Sequence, residues 1–270
     1  MSDQDQREFG FSGAPSHRLR RGIFLLPSAF TVANLLCGFY AILAVFKGGV
    51  ADLDYASRAI GLAIVFDAFD GFVARATRTN TEFGKQFDSL ADMVIFGIAP
   101  AILAFSWGVR DLAVDSPESK HVAQLSWLVA FAFAICCAWR LARFNVHGMA
   151  PGSLRYFVGM PCPAAAGMIA AVVHGFKLPL EDWRWSVAWL LLVLLVSALM
   201  VSAVRYPSFK DVPLAKRQHS LMIVAVGLLV WLIVVYSEQV LLVVAGGYTA
   251  AGLTLHVIRS VRHRLVSRTA

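Results

Sequence analysis

Charged residues are scarce in this sequence. They make up 15% of its 270 residues, whereas 58% of the residues are hydrophobic, and soluble domains carry roughly 25% charged residues. This composition excludes a disordered, collagen-like or disulfide-stapled chain, and the long unbroken Leu, Val and Ala runs lack the alternation of an outer-membrane barrel. It predicts an all-α polytopic membrane protein, because spans of about 20 apolar residues leave little room for a soluble domain.

Cysteine and histidine are also few, and neither has the spacing of a metal site. The four cysteines lie in apolar stretches without a CxxC spacing, so we expect buried, unpaired thiols at Cys37, Cys136, Cys137 and Cys162. None of the seven histidines is spaced as a ligand, which favours positions in loops or at membrane interfaces. The sequence therefore does not indicate zinc or redox chemistry.

Apolar runs predict about eight transmembrane helices. They lie near residues 22–46, 56–77, 86–108, 121–143, 158–176, 184–204, 219–237 and 239–258. Tryptophans near the ends of these runs are expected in the interfacial belts, at Trp107, Trp127, Trp183, Trp185 and Trp189.

Basic residues are distributed unevenly among the predicted loops. Eighteen of the 24 Lys and Arg residues fall in the two termini and in the loops on the same side of the membrane. Because cytoplasmic loops carry the Lys and Arg excess, both termini are predicted to be cytoplasmic. Topology and attraction to anionic headgroups account for the net charge of +7, and no basic stripe interleaved with aromatic residues indicates nucleic-acid binding.

The chain divides into three predicted segments. Residues 1–21 form a polar segment, either an interfacial helix or a tail with a topology signal; residues 22–258 form the membrane domain; residues 259–270 form a basic cytoplasmic tail. We expect no cleavable signal peptide, because the apolar run after the polar N-terminal segment is long enough to span. The protein is expected in the cytoplasmic (inner) membrane, with a site that faces the cytoplasm.

Four aspartates lie in the second and third predicted spans, where each charge costs at least ~2.5 kcal/mol. Helical spacing places Asp67, Asp70, Gly71, Ala74 and Arg75 on one face of a helix. The same spacing places Gly84, Asp88 and Asp92 on one face of the next helix. The turn 76–83 is short, so the two helices are expected to be antiparallel neighbours whose acidic faces meet.

Four converging carboxylates repel one another unless a cation neutralises them or some stay protonated. Ligation by carboxylate oxygens alone is what Mg²⁺ or Mn²⁺ prefers. The small residues Gly71, Ala74 and Gly84 either let the helices pack closely or leave room for a ligand, and Arg75 is a cation suited to a phosphate or to an aspartate. A metal with open positions beside such a cleft is equipped for phosphoryl-type transfer on an amphiphilic substrate.

The complete motif runs Asp67-x-x-Asp70-Gly71-x-x-Ala74-Arg75, then eight residues, then Gly84-x-x-x-Asp88-x-x-x-Asp92. It resembles the signature of the CDP-alcohol phosphatidyltransferase family. The resemblance implies transfer of a phosphatidyl group from CDP-diacylglycerol to an alcohol with release of CMP. It also implies two Mg²⁺ or Mn²⁺ ions per site, a helical membrane bundle and a homodimer.

Longer stretches are similar to the phosphatidylserine synthase branch of that family, which implies L-serine as the acceptor. They are residues 83–92 with 96–100, 140–145, 160–166 and 205–210, so the resemblance covers roughly 25–215. One departure is Pro27-Ser28, where related enzymes often have Pro-Asn, although Thr31 and Asn34 remain.

The resemblance also implies a role for each matching residue. The metal ligands would be Asp67, Asp70, Asp88 and Asp92, and Asp92 would also be the general base on the serine hydroxyl. The CDP site would be lined by Asp70, Gly71, Ala74, Arg75, Gly84, Thr31 and Asn34. The cytoplasmic end of the fourth span would either anchor the helix or bind the serine carboxylate or the donor phosphates, through Arg140, Arg143 and Asn145.

Two other classes of membrane protein also carry intramembrane aspartates. A membrane prenyltransferase uses two aspartate-rich motifs that normally lie far apart, whereas residues 71–87 alone separate Asp70 from Asp88. An ion transporter would not require the pattern of small residues and Arg75. Within the family, inositol phosphate, glycerol phosphate and choline remain the alternative acceptors.

Overall fold

The computed structural model describes residues 17–77, 82–112, 116–147, 156–202, 204–207 and 237–266. Most of this part of the chain is helical, in the order α1 (His17–Lys47), α2 (Val50–Thr77), α3 (Glu82–Asp92), α4 (Ala99–Val109), α5 (Pro117–His147), α6 (Cys162–Phe176), α7 (Trp183–Val201) and α8 (Ser237–Val266). A π-helical segment, Met93–Ile98, joins α3 to α4 without a break. The predicted helical architecture is thus confirmed, as expected for apolar segments that must satisfy their backbone groups internally in lipid.

Within the described residues, four helical stretches are long and apolar enough to cross a membrane. They are Ala29–Lys47, Glu82–Val109, Pro117–Val146 and Trp183–Val201. Helix α2 coincides with the predicted run 56–77 but carries several charged residues, and α6 has only 15 residues. The predicted runs coincide with described helices except for 219–237, of which all but the last residue lie outside the described part.

One short antiparallel ladder departs from the all-helical prediction. Strand β1 (Tyr156–Val158) pairs with β2 (Arg205–Pro207). The ladder thereby joins the segment that follows α5 to the segment that follows α7. Gly159 extends it, because its N–H donates to the Val204 carbonyl at 2.8 Å. Its φ of +80° favours glycine, and a Cβ there would collide with the Met200 carbonyl oxygen.

Small residues bring α1 and α2 together as an antiparallel hairpin. Ala41 and Ala44 on α1, with Ala56 and Ala63 on α2, are almost completely buried. Small side chains let membrane helices approach closely and so gain van der Waals contact, which replaces the hydrophobic effect as the main attraction in lipid. The hairpin fixes the register of α1 against the helix that carries the first two aspartates.

Two of the predicted interfacial tryptophans are instead a buried pair, so the belt assignment is wrong for Trp107 and Trp189. Their exposed fractions are 2% and 4%, and the two rings meet edge to face with centroids 5.0 Å apart. The indole of Trp189 donates to the Ala104 carbonyl at 2.9 Å, which satisfies its N–H between α4 and α7. Trp127 and Trp185 are exposed, in keeping with the prediction.

The cysteines are unpaired, as predicted from their spacing. Cys137 and Cys162 are completely buried, while Cys37 and Cys136 are half-buried, and all four are free thiols. Cys162 departs from the expected apolar surroundings, because the Arg140 guanidinium lies 3.8 Å from its sulfur.

Candidate active site

Three of the four predicted aspartates converge where α2 and α3 face each other. One carboxylate oxygen each from Asp67, Asp88 and Asp92 lies within 4.8 Å of the other two. All three side chains are half-buried. Asp88 and Asp92 are one turn apart on α3, and Asp67 meets them from α2, so the i, i+4 spacing and the helix hairpin together build this cluster.

The fourth aspartate, Asp70, lies beside the cluster and has a partner of its own. It is buried, and its Oδ2 accepts a hydrogen bond of 2.7 Å from the Thr31 hydroxyl of α1. Asp88 interacts electrostatically with Asp70, so the four carboxylates still form one acidic group. Thr31 thereby sets the orientation of one carboxylate from a third helix.

Asp92, the last residue of α3, has both acidic and basic neighbours. It interacts electrostatically with Asp67, Asp88 and Arg140. Its Oδ1 is buried and has no hydrogen-bond donor among the described residues. A buried acceptor without a donor is costly, and three close carboxylates repel one another. The oxygen-only set and the unmatched acceptor therefore fit a divalent cation such as Mg²⁺ or Mn²⁺.

The π-helical segment begins directly after Asp92, and sequence analysis does not predict it. Such segments are rare and often occur at functional sites. Here Ile95, in the segment, packs against Gly38 of α1, where a Cβ would lie only 2.8 Å from the Ile95 Cγ1. The sequence signal that could have indicated this contact is Gly38 itself, a glycine in the middle of an apolar helix.

The three polar residues predicted at the end of α5 have different surroundings. Arg143 donates to the carbonyl oxygens of Val201 at 3.2 Å and Val158 at 3.0 Å, and Asn145 donates to the Ser89 hydroxyl at 3.0 Å. These bonds tie α5 to the strand connectors and to α3. The geometry is that of an anchor, one of the two alternatives the sequence leaves open.

Arg140 instead lies near the acidic cluster. Its Nη1 contacts the Cys162 sulfur at 3.8 Å, and its buried Nε has no acceptor among the described residues. A guanidinium with an unmatched donor, within electrostatic range of Asp92, can receive an anionic group of a ligand.

The remaining predicted donor-site residues are partly described. Gly71 and Gly84 are half-buried, and Asn34 is buried on the same face of α1 as Thr31. The backbone of Ala74 and Arg75 belongs to α2, but their side chains lie outside the described part of the chain.

Comparison with known proteins identifies this arrangement. The family described as CDP-alcohol phosphatidyltransferase matches residues 24–197, which contain the four aspartates, Thr31 and the end of α5. The chain belongs to the CDP-alcohol phosphatidyltransferase family. Membership in this family makes the protein a transferase and confirms the resemblance on which the aspartate motif was interpreted.

Several curated relatives in this family carry a more specific name. CDP-diacylglycerol–serine O-phosphatidyltransferase from Helicobacter pylori strain 26695 is 31% identical over 191 residues, 70% of this chain and 75% of that protein. The protein of the same name from Methanocaldococcus jannaschii is 31% identical over 71% of this chain and 78% of its own length. Archaetidylserine synthase from Methanothermobacter thermautotrophicus is 36% identical over 67% of this chain and 69% of its own length.

A second polar cluster in this family member was missed by the sequence analysis. His174 is 3% exposed rather than in a loop or at an interface, so that expectation is wrong for this histidine. Its Nδ1 lies 2.5 Å from Asp54 Oδ1, and its Nε2 lies 2.9 Å from the Ser237 hydroxyl. The cluster joins α2, α6 and α8 near the opposite end of α2 from the aspartate site.

Proposed function

We propose that the protein transfers the phosphatidyl group of CDP-diacylglycerol to the hydroxyl of L-serine, giving phosphatidylserine and CMP. The observation that carries the proposal is the cluster of Asp67, Asp88 and Asp92, in which a buried oxygen of Asp92 has no donor among the described residues. Family membership supports phosphatidyl transfer from a CDP-linked donor, and the names of the curated relatives support serine as acceptor.

The aspartates would hold two divalent cations. Asp67, Asp70, Asp88 and Asp92 are the proposed ligands, and Asp92 lies beside the second ion. When bound, the cations neutralise the donor diphosphate and its leaving group. Thr31 holds the Asp70 carboxylate in place. Gly71, Gly84 and Ala74 leave room for the nucleotide, and Arg75 offers a cation to its phosphates.

Asp92 would act on the acceptor. Its carboxylate takes the proton of the serine hydroxyl while the serine oxygen forms a bond to the β-phosphorus of the donor. The bond between that phosphorus and the CMP oxygen breaks, and CMP leaves. An ordinary carboxylate is a weak base for an alcohol, so its contribution comes from position beside the reacting hydroxyl.

Arg140 is the proposed partner of the serine carboxylate. It is the residue at the end of α5 whose guanidinium has an unmatched buried donor near Asp92. Serine bound in this way would present its hydroxyl toward the base. A phosphorylated acceptor would require further cations in the same pocket.

The wider setting is proposed from charge distribution and family. The apolar runs support eight spans in the inner membrane. The distribution of Lys and Arg supports both termini and the site on its cytoplasmic side. The resemblance also supports a homodimer. Access from the cytoplasm would let serine and the nucleotide reach the aspartates while the acyl chains of the donor remain in lipid.

A panel of acceptors tests the assignment. Purified protein in lipid vesicles with CDP-diacylglycerol and Mn²⁺ is offered labelled serine, glycerol phosphate, inositol phosphate or choline. We expect serine to be the one acceptor of the four that gives product, with phosphatidylserine and CMP formed in equal amounts. Turnover with another alcohol and none with serine would contradict serine as the acceptor, but it would still agree with phosphatidyl transfer from CDP-diacylglycerol.

A further inference from the structure

The side-chain amide oxygen of Asn34 belongs to a buried residue of α1. Asn34 is only 1% exposed, and its Oδ1 has no donor among the described residues. A buried carbonyl oxygen without a donor costs about 1–3 kcal/mol. A native chain retains such an atom when something else supplies its partner.

The contact between Thr31 and Asp70 fixes the position of Asn34 along α2. Thr31, three residues earlier on α1, bonds to Asp70 of α2. Because α1 and α2 are antiparallel, moving three residues forward on α1 corresponds to moving three residues back on α2, from Asp70 to Asp67. The Asn34 side chain is therefore level with Asp67, on the buried face that also carries Thr31.

The contact between α1 and the π-helical segment gives the same position for Asn34 along the helices, now relative to α3. Gly38, one turn beyond Asn34, packs against Ile95. α1 runs parallel to α3, since each is antiparallel to α2, so one turn back from Ile95 leads to the last turn of α3, where Asp92 lies. Asn34 is thus bracketed by Asp67 on one helix and Asp92 on the other.

We propose that Asn34 supplies an amide oxygen to the divalent cation held by Asp67, Asp88 and Asp92. This inference rests on the proposed function, and it changes the expected role of Asn34 from a contact of the CDP donor to a metal ligand. Asn34 Oδ1 and Asp92 Oδ1 are both buried acceptors without donors among the described residues. One hard cation satisfies both, and amide carbonyl oxygens are ordinary ligands of such ions.

A pair of substitutions separates this role from the alternative, in which the Asn34 amide N–H₂ donates to an aspartate and merely orients it. Asn34→Ala removes the oxygen, whereas Asn34→Asp keeps an oxygen at the same place and removes the donor. Ser197→Ala is the matched control, because Ser197 is equally buried and donates to the Val193 carbonyl within α7, away from the site.

The test is a titration of the purified protein with Mn²⁺ in the absence of nucleotide. The paramagnetic resonance signal of free Mn²⁺ measures binding, and thermal unfolding is measured in parallel. We expect Asn34→Ala to weaken binding of one ion about 10- to 100-fold, the range typical of residues around a metal. Asn34→Asp and Ser197→Ala should bind within about threefold of wild type or, for the aspartate, more tightly.

Two results would overturn the proposal in different ways. Unchanged Mn²⁺ affinity and stoichiometry in Asn34→Ala, with a wild type that binds Mn²⁺, would contradict the role of Asn34 and leave the proposed transferase intact. Equal loss of binding in Asn34→Ala and Asn34→Asp would assign the donor role instead. A wild type that binds no Mn²⁺ would contradict the metal assignment itself, and the Asn34 role with it.

Discussion

Individual polar atoms in this apolar chain are informative because each one has to be matched. The buried oxygen of Asp92 and the buried nitrogen of Arg140 lie within electrostatic range of each other, and each lacks a partner among the described residues. Asp70, by contrast, is already held by Thr31. The unmatched pair marks the place where a ligand has to supply both an acceptor and a positive charge.

The first prediction concerns the proposed base. Asp92→Asn keeps the size of the side chain and removes its ability to take a proton, so kcat should fall by about 10²- to 10⁴-fold. Thermal unfolding should be little changed, because the substitution also relieves repulsion among the carboxylates. Initial rates of phosphatidylserine formation measure the loss, with Glu181→Gln in the exposed connector before α7 as control. Turnover within about threefold of wild type would contradict the assignment.

The two arginines at the end of α5 should respond differently to the same change. Arg140→Gln should raise the KM for serine by more than about tenfold, since a charged hydrogen bond contributes roughly 1.5–3 kcal/mol. Arg143→Gln should lower the unfolding temperature, because it breaks bonds to two backbone carbonyls. Kinetics and thermal unfolding of both variants give the comparison. If Arg143→Gln raised the KM for serine and Arg140→Gln left it unchanged, Arg143 and not Arg140 would be the residue that binds serine.

The aspartate motif was predictable at the residue level because helical spacing alone places its members on two facing surfaces. The separation of Asp70 from the three-oxygen cluster was not predictable, since it depends on a bond to Thr31 thirty-nine residues away. The same holds for Arg140 and Arg143, which have identical side chains. Only their tertiary neighbours distinguish a residue near the site from an anchor.

At the level of helices, the position of Asp92 depends on how closely α1 approaches the π-helical segment. Gly38 allows this approach, because any side chain there would meet Ile95. The segment follows Asp92 directly, so a displacement of Ile95 is transmitted to the proposed base. A glycine on α2, Gly61, faces open space and has no such contact.

These two glycines give a matched pair of substitutions. Gly38→Val should destabilise the protein by about 1–3 kcal/mol through overpacking and should also reduce kcat, since it moves the helix that carries Asp92. Gly61→Ala should be neutral or stabilise by up to about 1 kcal/mol, because alanine favours a helix over glycine. Thermal unfolding in detergent and initial rates test both. If Gly38→Val left both the unfolding temperature and the activity unchanged, the close approach of α1 to the π-helical segment would have no role in stability or catalysis.

The helical class and the approximate positions of the described helices follow from the apolar runs, because a helix is the natural solution for such segments in lipid. The number of membrane spans stays a prediction. The β1–β2 ladder and the π-helical segment do not follow from them. Both arise from tertiary contacts, through Gly159 and Gly38, that periodicity does not encode. The tryptophan belt was mispredicted at Trp107 and Trp189 because each indole donates to a carbonyl outside its own helix. Trp107 donates to Lys177, directly after α6, and Trp189 donates to Ala104 of α4.

The whole molecule has a polar cluster at each end of α2. The aspartate site lies toward one end, and the group of Asp54, His174 and Ser237 lies near the other, where Arg58 also pairs with Asp54 at 2.8 Å. Asp54 and Asp67 are separated by about 20 Å along the helix axis. The second cluster joins α8 to the rest of the bundle and lies outside the proposed chemistry.

Removing the centre of that cluster should affect stability and leave the metal site unchanged. His174→Leu leaves a buried carboxylate and a hydroxyl without their shared partner, which should cost about 1–3 kcal/mol of unfolding free energy. Lys177→Gln breaks only the half-exposed pair with Glu238 and should cost less than about 1 kcal/mol. Thermal unfolding and Mn²⁺ titration of both proteins test this. Weaker Mn²⁺ binding in His174→Leu would contradict the independence of the two clusters.

The central claim is that aspartate-held divalent cations enable transfer from CDP-diacylglycerol to serine. The most direct test measures phosphatidylserine and CMP formation by purified protein in vesicles, first with Mn²⁺, then in excess chelator, then after Mn²⁺ is restored. We expect equal amounts of both products with Mn²⁺, loss of both in chelator and recovery of both when Mn²⁺ is restored. Full turnover in excess chelator would contradict the role of the cations.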